Sequence, residues 1–178
     1  MTIAPARYAT VDTPPGPFTV LVTAGADGTD VVLASGWTGD VTELLPVVHR
    51  SLRPTWVERA DDDLPVLAAV EGFCAGDVTS IDGVPVRQRS GPFLTDAWEV
   101  LRTVPAGAPD TYASFAERCG RPTAVRAAAG ACAKNAAALF VPCHRVLATG
   151  GGLGGFRWGT PVKRWLLDHE AAHAPVAA

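Results

Sequence analysis

The segment TYASFAERCGRPTAVRAAAGAC, residues 111–132, gives the clearest indication of the fold of the C-terminal half of this sequence. Its first part predicts a short helix with Thr111 as the N-cap residue and Gly120 just past its end. Pro122 suits the first turn of a second helix, which we expect over residues 123–132. Two short helices joined by a glycine turn are the outline of a helix-turn-helix.

The second of these helices has an unusual composition. Its side chains are nearly all those of Ala, Gly or Cys, and Arg126 is the one long side chain in its middle. Small residues allow the backbone to approach a neighbouring surface closely. One interpretation is tight packing against another helix. The other is a helix lying against a nucleic-acid groove, with the arginine reaching inward.

Just beyond this pair, a strand-like apolar run from Leu139 ends at Pro142 and is followed by Cys143 and His144. A free thiol has a pKa of about 8.5, so a nucleophilic cysteine needs a base or a positive field. Side chains of adjacent residues usually point in different directions, so a bridging water is expected between this thiol and imidazole rather than direct contact.

A relay of this kind needs a group that holds the imidazole of His144. Glu170 and Asp168 are the nearby carboxylates in the sequence, and both remain candidates. The alternative interpretation of the Cys143-His144 pair is two ordinary core residues.

Residues 148–159 form a glycine-rich segment, ATGGGLGGFRWG. As a linker it would be flexible. As a loop at a site it would let the backbone approach a planar ligand, with Phe156 and Trp158 at its edge. It lacks the Lys-Ser/Thr ending of a phosphate-binding loop, so a phosphate cradle is not indicated.

The remaining elements predict an α+β fold. In the C-terminal half, apolar spacing predicts a core-facing helix over Phe93–Val104 and a final helix over Pro161–His169, with a frayed tail from Ala171. In the N-terminal half, the sequence predicts two strands, then two helices, then one more strand. These are strands at Phe18–Thr23 and Val31–Ala34, helices at Thr42–Leu52 and Leu64–Ala75, and a strand around Ile81–Val86.

Composition limits the classes of function. The chain has 178 residues, of which 48% are hydrophobic and 19% charged, so it can bury a core. The net charge of −3 argues against a general nucleic-acid binder. However, residues 1–90 carry a net charge of −6 and residues 91–178 a net charge of +3, so an anionic partner is expected at the C-terminal half.

The sequence also indicates where the protein works. Residues 1–18 are interrupted by four prolines and do not resemble a signal peptide, and no apolar run is long enough to span a bilayer. The four cysteines show no CxxC spacing, so we expect neither a zinc site nor a redox pair. We therefore expect free thiols, a cytoplasmic location and no membrane partner.

The segment Pro142-Cys143-His144-Arg145-Val146 resembles the active-site signature of the O6-alkylguanine-DNA alkyltransferases, the methylated-DNA–protein-cysteine methyltransferases. Three further blocks resemble the same family, so that the likeness covers residues 91–170 nearly continuously. They are the helix at 93–107, the helix pair at 111–135, and the glycine-rich loop with the closing helix at 150–170.

The resemblance implies an N-terminal ribonuclease H-like α/β domain over residues 1–88. It implies a mostly helical C-terminal domain over residues 89–178, with a helix-turn-helix and a Pro-Cys-His-Arg active-site turn. The implied activity is direct reversal of DNA damage. The alkyl group of O6-alkylguanine in double-stranded DNA would move irreversibly onto Cys143 in a single turnover, after the nucleotide is flipped out. O4-alkylthymine is a second candidate substrate.

The resemblance also implies roles for individual residues. Cys143 would be the nucleophile, His144 would deprotonate it through water, and Glu170 would orient His144. Tyr112 would rotate the target phosphate and donate a proton near the leaving guanine. Further implied residues are Arg126, Thr123, Ala127 and the hinge residue Asn135 at the DNA, and Cys132, Val146, Leu147, Leu153 and Phe156 at the substrate pocket. Backbone groups around Cys143 and Leu147 would read the guanine edge.

The family resemblance further implies a monomer that binds the DNA minor groove and needs no cofactor or metal. The sequence departs from the family pattern at two positions. Phe156 replaces a tyrosine that is frequent in the family, and Ala136 follows Asn135 where proline is usual. Three rival functions remain. They are a non-catalytic lesion-binding relative, a helix-turn-helix transcription regulator and a thiol hydrolase.

Overall fold

A four-stranded mixed sheet forms the N-terminal half of the computed structural model, which describes residues 5–60 and 64–174. The strand order is β3-β2-β1-β4, with β1 antiparallel to β2, β2 antiparallel to β3, and β4 parallel to β1. The strands are β1 (Ala6–Thr13), β2 (Gly16–Ala24), β3 (Asp30–Gly36) and β4 (Val57–Arg59).

The two strands expected near residues 18 and 31 are confirmed as β2 and β3, whereas β1 was not predicted. The side chains of β1 are mostly half-buried and polar residues alternate irregularly along it, so its sequence lacks a clear strand pattern. Its pairing depends on a tight turn into β2, where Gly16 adopts a φ of 139°.

The helix predicted over Thr42–Leu52 is wrong. The chain instead makes two 3-10 turns, Val41–Glu43 and Leu45–Val47. Pro46 lies inside the segment, and because it has no N–H to donate, it interrupts a regular α-helix.

The strand predicted around Ile81–Val86 is also wrong. Only one isolated bridge forms there, between Val86 and Val32, because Pro85 lacks a donor and Gly83 lies in a turn. In contrast, the helix predicted over Leu64–Ala75 is confirmed as α1 (Val66–Cys74).

The C-terminal half contains the remaining helices, and those predicted from apolar spacing are present. They are α2 (Pro92–Leu101), α3 (Tyr112–Arg118), α4 (Val125–Ala133) and α5 (Thr160–His173). Thr111 caps α3 by accepting a hydrogen bond from the N–H of Ser114 at 3.1 Å, as expected. Gly120 follows α3 with a φ of 71°, the left-handed conformation that glycine favours.

Several helix boundaries differ from those expected, and α2 ends at Leu101 rather than at Val104. The helix that carries Arg126 begins at Val125 rather than Thr123, because Pro122 and Thr123 lie in a turn. The last helix continues to His173, so the expected fraying from Ala171 is wrong for residues 171–173, and residues 175–178 of that tail lie outside the described residues.

The sheet is covered on both faces. Phe18, Val20 and Val22 of β2 point into the main core, which α1 to α5 share. Leu21, one position out of phase, points into a second cluster with Leu33 and Leu44. Because neighbouring side chains on a strand point to opposite faces, one strand serves both cores.

The segment before the nucleophile candidate is bonded to this sheet. Ser35 of β3 donates its hydroxyl to the carbonyl of Ala138 at 2.7 Å and its N–H to the carbonyl of Ala136 at 2.9 Å. The strand-like run expected from Leu139 is therefore wrong, because the chain turns there and Leu139 has a φ of 76°. The turn delivers Cys143–Arg145 as a 3-10 turn, followed by β6 (Val146–Leu147), which pairs in parallel with β5 (Asp110–Thr111).

No helix among the described residues has the length and apolar character required to cross a membrane.

Candidate active site

A cavity of about 590 Å³ opens beside Cys143. It lies between α4, the turn that carries the thiol and the glycine-rich loop. Its size suits a drug-sized or nucleobase-sized ligand. The lining residues are Tyr112, Ala129, Cys132, Ala133, Asn135, Ala138, Cys143, Gly155, Phe156, Arg157 and Trp158.

The glycine-rich loop is packed against two other parts of the molecule. A Cβ atom at Gly154 would lie 3.0 Å from the Oη atom of Tyr112, and the φ of Gly154 is 68°. A Cβ atom at Gly36 would lie 2.0 Å from Cζ2 of Trp158, so the indole ring rests directly on the backbone at the end of β3. The loop is therefore part of the cavity wall and not a free linker.

The thiol of Cys143 is held by an amide. The Nδ2 atom of Asn135 donates to Sγ of Cys143 at 3.2 Å and to the carbonyl of Val141 at 2.7 Å. The Oδ1 atom of Asn135 accepts from the N–H of Ala137 at 3.1 Å and from Nε2 of Gln88 at 3.0 Å. These four bonds fix the orientation of the amide, so that an N–H faces the sulfur.

Burial dominates the protonation of this thiol. Cys143 is 8% exposed, and burial raises the pKa of its thiol above the ordinary value. The hydrogen bond from Asn135 and the charge of Lys163 oppose that rise. At neutral pH the sulfur is therefore protonated at rest, and its activation requires a base.

His144, Glu170 and Arg145 form a buried polar cluster behind the thiol. The Nε2 atom of His144 lies 2.8 Å from Oε1 of Glu170. Nη2 of Arg145 donates to the same oxygen at 2.9 Å, and its Nε donates to both carboxylate oxygens at 3.0 and 3.2 Å. Nη1 of Arg145 donates to the carbonyl of Val104 at 2.7 Å, which anchors the guanidinium.

The pKa values within this cluster decide which groups are charged. Burial raises the pKa of Glu170, but His144 and Arg145 outweigh burial and lower it to about 2. Burial lowers the pKa of His144 more than Glu170 raises it, so the imidazole is neutral. The permanent cation beside the carboxylate is therefore Arg145 and not an imidazolium.

The hydrogen bonds also fix the tautomer of His144. Since Nε2 faces an ionised carboxylate, the proton of the neutral ring lies on Nε2, and Nδ1 carries a lone pair. Nδ1 is buried and has no hydrogen-bond partner among the described protein atoms. This geometry leaves a basic nitrogen free to accept a proton.

Lys163 places a second cation in the interior. Its side chain is fully buried, and Nζ donates to the carbonyl of Val146 at 2.7 Å. Burial lowers the pKa of its ammonium group, while the thiols of Cys143 and Cys132 oppose that effect. No carboxylate among the described residues forms an ion pair with Lys163, so its charge is available to a nearby thiolate.

The structure brings most of the predicted catalytic and pocket residues together. Tyr112, Cys132, Asn135, Cys143 and Phe156 line one cavity. Burial raises the pKa of Tyr112, so its phenol stays protonated and can donate a hydrogen bond.

His144 and Glu170 are in contact behind the cavity, whereas Asp168, the other carboxylate candidate, is exposed on α5. Three residues expected at the pocket, Val146, Leu147 and Leu153, are not among those that line the cavity. Arg126 and Thr123 are exposed and Ala127 is half-buried, all three on α4 or the turn before it.

The sequence reasoning missed three residues at this site. Arg145 and Lys163 are charged residues that the structure buries, and Gln88 lies outside every predicted element. A signal existed for Lys163, because it lies three positions before Leu166 and seven before Glu170. This spacing places Lys163 on the same helix face as these two buried residues. Gln88 has no such signal, since its bonds to Asn135 and Ala136 join residues that are 47 and 48 positions apart in the sequence.

All four cysteines are free thiols. Within residues 5–60 and 64–174, no group of three or more His, Cys, Asp or Glu side chains is placed to hold a metal ion.

Comparison with known proteins adds to this geometry. The sequence profile of the family described as "6-O-methylguanine DNA methyltransferase, DNA binding domain" matches residues 92–172. The methylated-DNA–protein-cysteine methyltransferase of Mycolicibacterium paratuberculosis is 31% identical over 171 residues, which cover 96% of each chain. The protein of the same description from Shigella flexneri is 40% identical over 98 residues, which cover 55% of this chain and 57% of that relative.

Solved structures show the same similarity in three dimensions. The crystal structure of Mycobacterium tuberculosis OGT in complex with DNA superposes with a TM-score of 0.76 and 29% sequence identity, over 96% of each chain. The described mixed sheet and helices therefore have the architecture of that protein.

Proposed function

The chain belongs to the family of methylated-DNA–protein-cysteine methyltransferases, and from this premise we propose that it repairs DNA by moving the alkyl group of O6-alkylguanine onto its own Cys143. One observation carries the proposal. The thiol of Cys143 borders a nucleobase-sized cavity, and a neutral imidazole held by an ionised carboxylate lies at the adjacent residue.

The reaction begins with the thiol proton. Nδ1 of His144 takes it from Sγ through one bridging water, since adjacent residues do not place the two atoms in direct contact. The ionised carboxylate of Glu170 holds Nε2–H of His144 and stabilises the imidazolium that forms. Arg145 keeps that carboxylate ionised, so the imidazole stays in the orientation that presents Nδ1.

The thiolate then attacks the alkyl carbon. A new S–C bond forms, the C–O6 bond breaks, and its electron pair leaves with the guanine. The leaving base takes up a proton, and we assign the phenol of Tyr112 at the cavity wall as its donor; solvent then returns a proton to the phenolate, and the imidazolium of His144 releases its own to solvent. The charge of Lys163 and the amide of Asn135 stabilise the thiolate before attack.

A thioether is a stable product, so each molecule accepts one alkyl group. The proposal therefore describes a protein consumed by its own reaction rather than one that turns over.

Access to Cys143 requires the damaged nucleotide to leave the duplex. Unstacking a base costs roughly a few kcal/mol, which a side chain inserted into the stack offsets. We assign that insertion to the exposed Arg126 on α4, with Thr123 and Ala127 as its neighbours at the DNA. In this arrangement α3 and α4 act as a helix-turn-helix in the minor groove, Tyr112 rotates the target phosphate, and Asn135 links α4 to the active-site turn.

The proposal extends to the whole chain. Residues 1–88 would be a ribonuclease H-like domain that supports the site, and residues 89–178 would carry DNA binding and alkyl transfer. We propose that the protein acts as a monomer in the cytoplasm, where its thiols stay reduced, and that O4-alkylthymine is a further substrate to be tested.

Mass spectrometry of the alkylated protein tests the proposal. After incubation with a duplex that contains one O6-methylguanine, one methyl group per protein should appear on the peptide that contains Cys143. Cys143→Ser should lose the signal, whereas the matched control Cys119→Ser should keep it.

Two results would contradict this mechanism. Methyl transfer to another thiol would remove Cys143 as the nucleophile. Conversion of many lesions per protein would indicate a hydrolase. A parallel duplex with O4-methylthymine decides whether the second substrate is accepted.

A further inference from the structure

A second cavity, of about 500 Å³, lies on the other side of Arg157 from the active site. We call it the basic groove. It runs between residues 46–53, the linker at residues 87–90 and the end of α4. Its cationic lining residues, all exposed, are Arg50, Arg53, Arg87, Arg89, Lys134 and Arg157.

The cations of the basic groove are not neutralised by the protein. No carboxylate is among its lining residues, and none of the six cations forms an ion pair among the described residues. Their hydrogen bonds are few and go to neutral oxygens, such as the bond from Arg157 to the carbonyl of Ala133 at 3.0 Å. In contrast, Arg7 and Arg118, which lie elsewhere on the surface, are each paired with an aspartate.

The clustering of basic residues at the groove contrasts with the net charge of the N-terminal half. Residues 1–90 have a net charge of −6 and contain six basic residues, and four of those six line the basic groove. Most of the positive charge in the acidic half of the chain therefore lies at the basic groove, which favours binding of a polyanion there.

The basic groove is adjacent to the active-site cavity. Arg157 lines both cavities, and Lys134 directly follows α4. Gln88, in the groove wall, donates to Asn135, whose amide contacts the sulfur of Cys143. Lys134 lies eight residues after Arg126, which corresponds to about 12 Å along the helix at 1.5 Å per residue. A DNA duplex bound at Arg126 is therefore close enough to contact the basic groove.

We propose that the basic groove binds the phosphodiester backbone of the DNA strand that flanks the lesion. The inference rests on the proposed function, because the strand is the one whose damaged nucleotide enters the active-site cavity. Arginine suits this partner, since its planar guanidinium can bind phosphate oxygens in pairs. Protein–DNA interfaces are much more positively charged than interfaces between proteins, which favours DNA over an acidic protein segment.

The salt dependence of DNA binding tests the groove. Each lost phosphate contact should reduce the slope of log K against log salt by about 0.9. We therefore expect Arg87→Gln/Arg89→Gln to reduce the slope by about 2 and to weaken binding of undamaged and damaged duplexes alike.

The matched control is Arg59→Gln/Arg164→Gln, which removes the same charge from two exposed arginines that do not line the groove. It should keep the wild-type slope. The thermal unfolding midpoint of both double variants should match that of the wild type, which excludes misfolding as a cause.

Two results would overturn the inference. One is a wild-type slope in Arg87→Gln/Arg89→Gln. The other is that the same variant loses binding to polyglutamate, a probe for an acidic protein partner, but binds DNA as the wild type does. Failure of the wild-type protein to methylate Cys143 would instead refute the proposed function, so the two failures are distinguishable.

Discussion

Replacing Glu170 by glutamine isolates the role of the buried carboxylate. Glu170→Gln keeps the size of the side chain and removes its charge, while the side chain of Arg145, only 3% exposed, has no other ion-pair partner among the described residues. Removing one partner of a buried ion pair costs about 3–5 kcal/mol, because the remaining charge is left uncompensated. A typical domain has a free energy of unfolding of about 5–15 kcal/mol, so a large part of the stability would be lost.

The pKa of Glu170 gives an independent magnitude. Its pKa is about 2 in the folded protein against an ordinary value of 4.5. At about 1.4 kcal/mol per pKa unit, this difference contributes about 3 kcal/mol. Because the folded pKa is the lower one, the contribution is fully present above pH 4.5 and is lost as the pH falls to about 2.

Urea denaturation at a series of pH values measures both effects. We expect Glu170→Gln to lose about 3–5 kcal/mol at pH 7 and to lack the corresponding loss in acid. Asp168→Asn, two positions away on the same helix and exposed, is the matched control and should behave as the wild type. A cost of less than about 1 kcal/mol for Glu170→Gln, the value of a surface pair, would refute the argument.

Four further predictions concern the reaction and its support. Arg126→Ala should slow repair in duplex DNA by roughly 10- to 100-fold and leave the reaction with free O6-benzylguanine nearly unchanged, since only the duplex requires unstacking; equal losses in single-turnover assays would exclude a role in the stack. His144→Ala should move the pH–rate profile upward toward that of an ordinary thiol, and an unchanged profile would exclude this base. Lys163→Met should raise the apparent thiol pKa in iodoacetamide titrations by roughly one unit or more, with partial rescue by Lys163→Arg; no shift would show that the ammonium does not act on the thiolate. Gln88→Leu should cost about 1–3 kcal/mol in urea unfolding because it leaves a buried backbone N–H unpaired, and a wild-type unfolding free energy would contradict this.

Local signals in the sequence predicted the helices of the C-terminal half well. Thr111 and Gly120 mark the ends of α3 through capping chemistry that depends on a few neighbouring residues. The apolar spacing that predicts α2 is likewise local, because it involves only residues of the helix itself. The pairing of His144 with Glu170 came from the family resemblance, because the spacing along α5 indicates only that Glu170 shares a helix face with Leu166 and does not identify its partner.

What the sequence did not reveal depends on contacts between distant segments. The strand β1 forms through its neighbours in the sheet and not through its own pattern. The turn at Leu139 is held by Ser35, and Asn135 is oriented by Gln88. Burial of Arg145 runs against the ordinary preference of arginine for the surface and is intelligible only once the carboxylate beside it is seen.

The contact between Gly36 and Trp158 has a consequence for the independence of the two halves. The indole ring occupies the space where the first carbon of any larger side chain would stand, so position 36 accepts no substitution without moving the rim of the cavity. A fragment restricted to the helical half would leave that ring unsupported from behind. The sheet, although it supplies no reacting atom, therefore shapes the opening through which a base must pass.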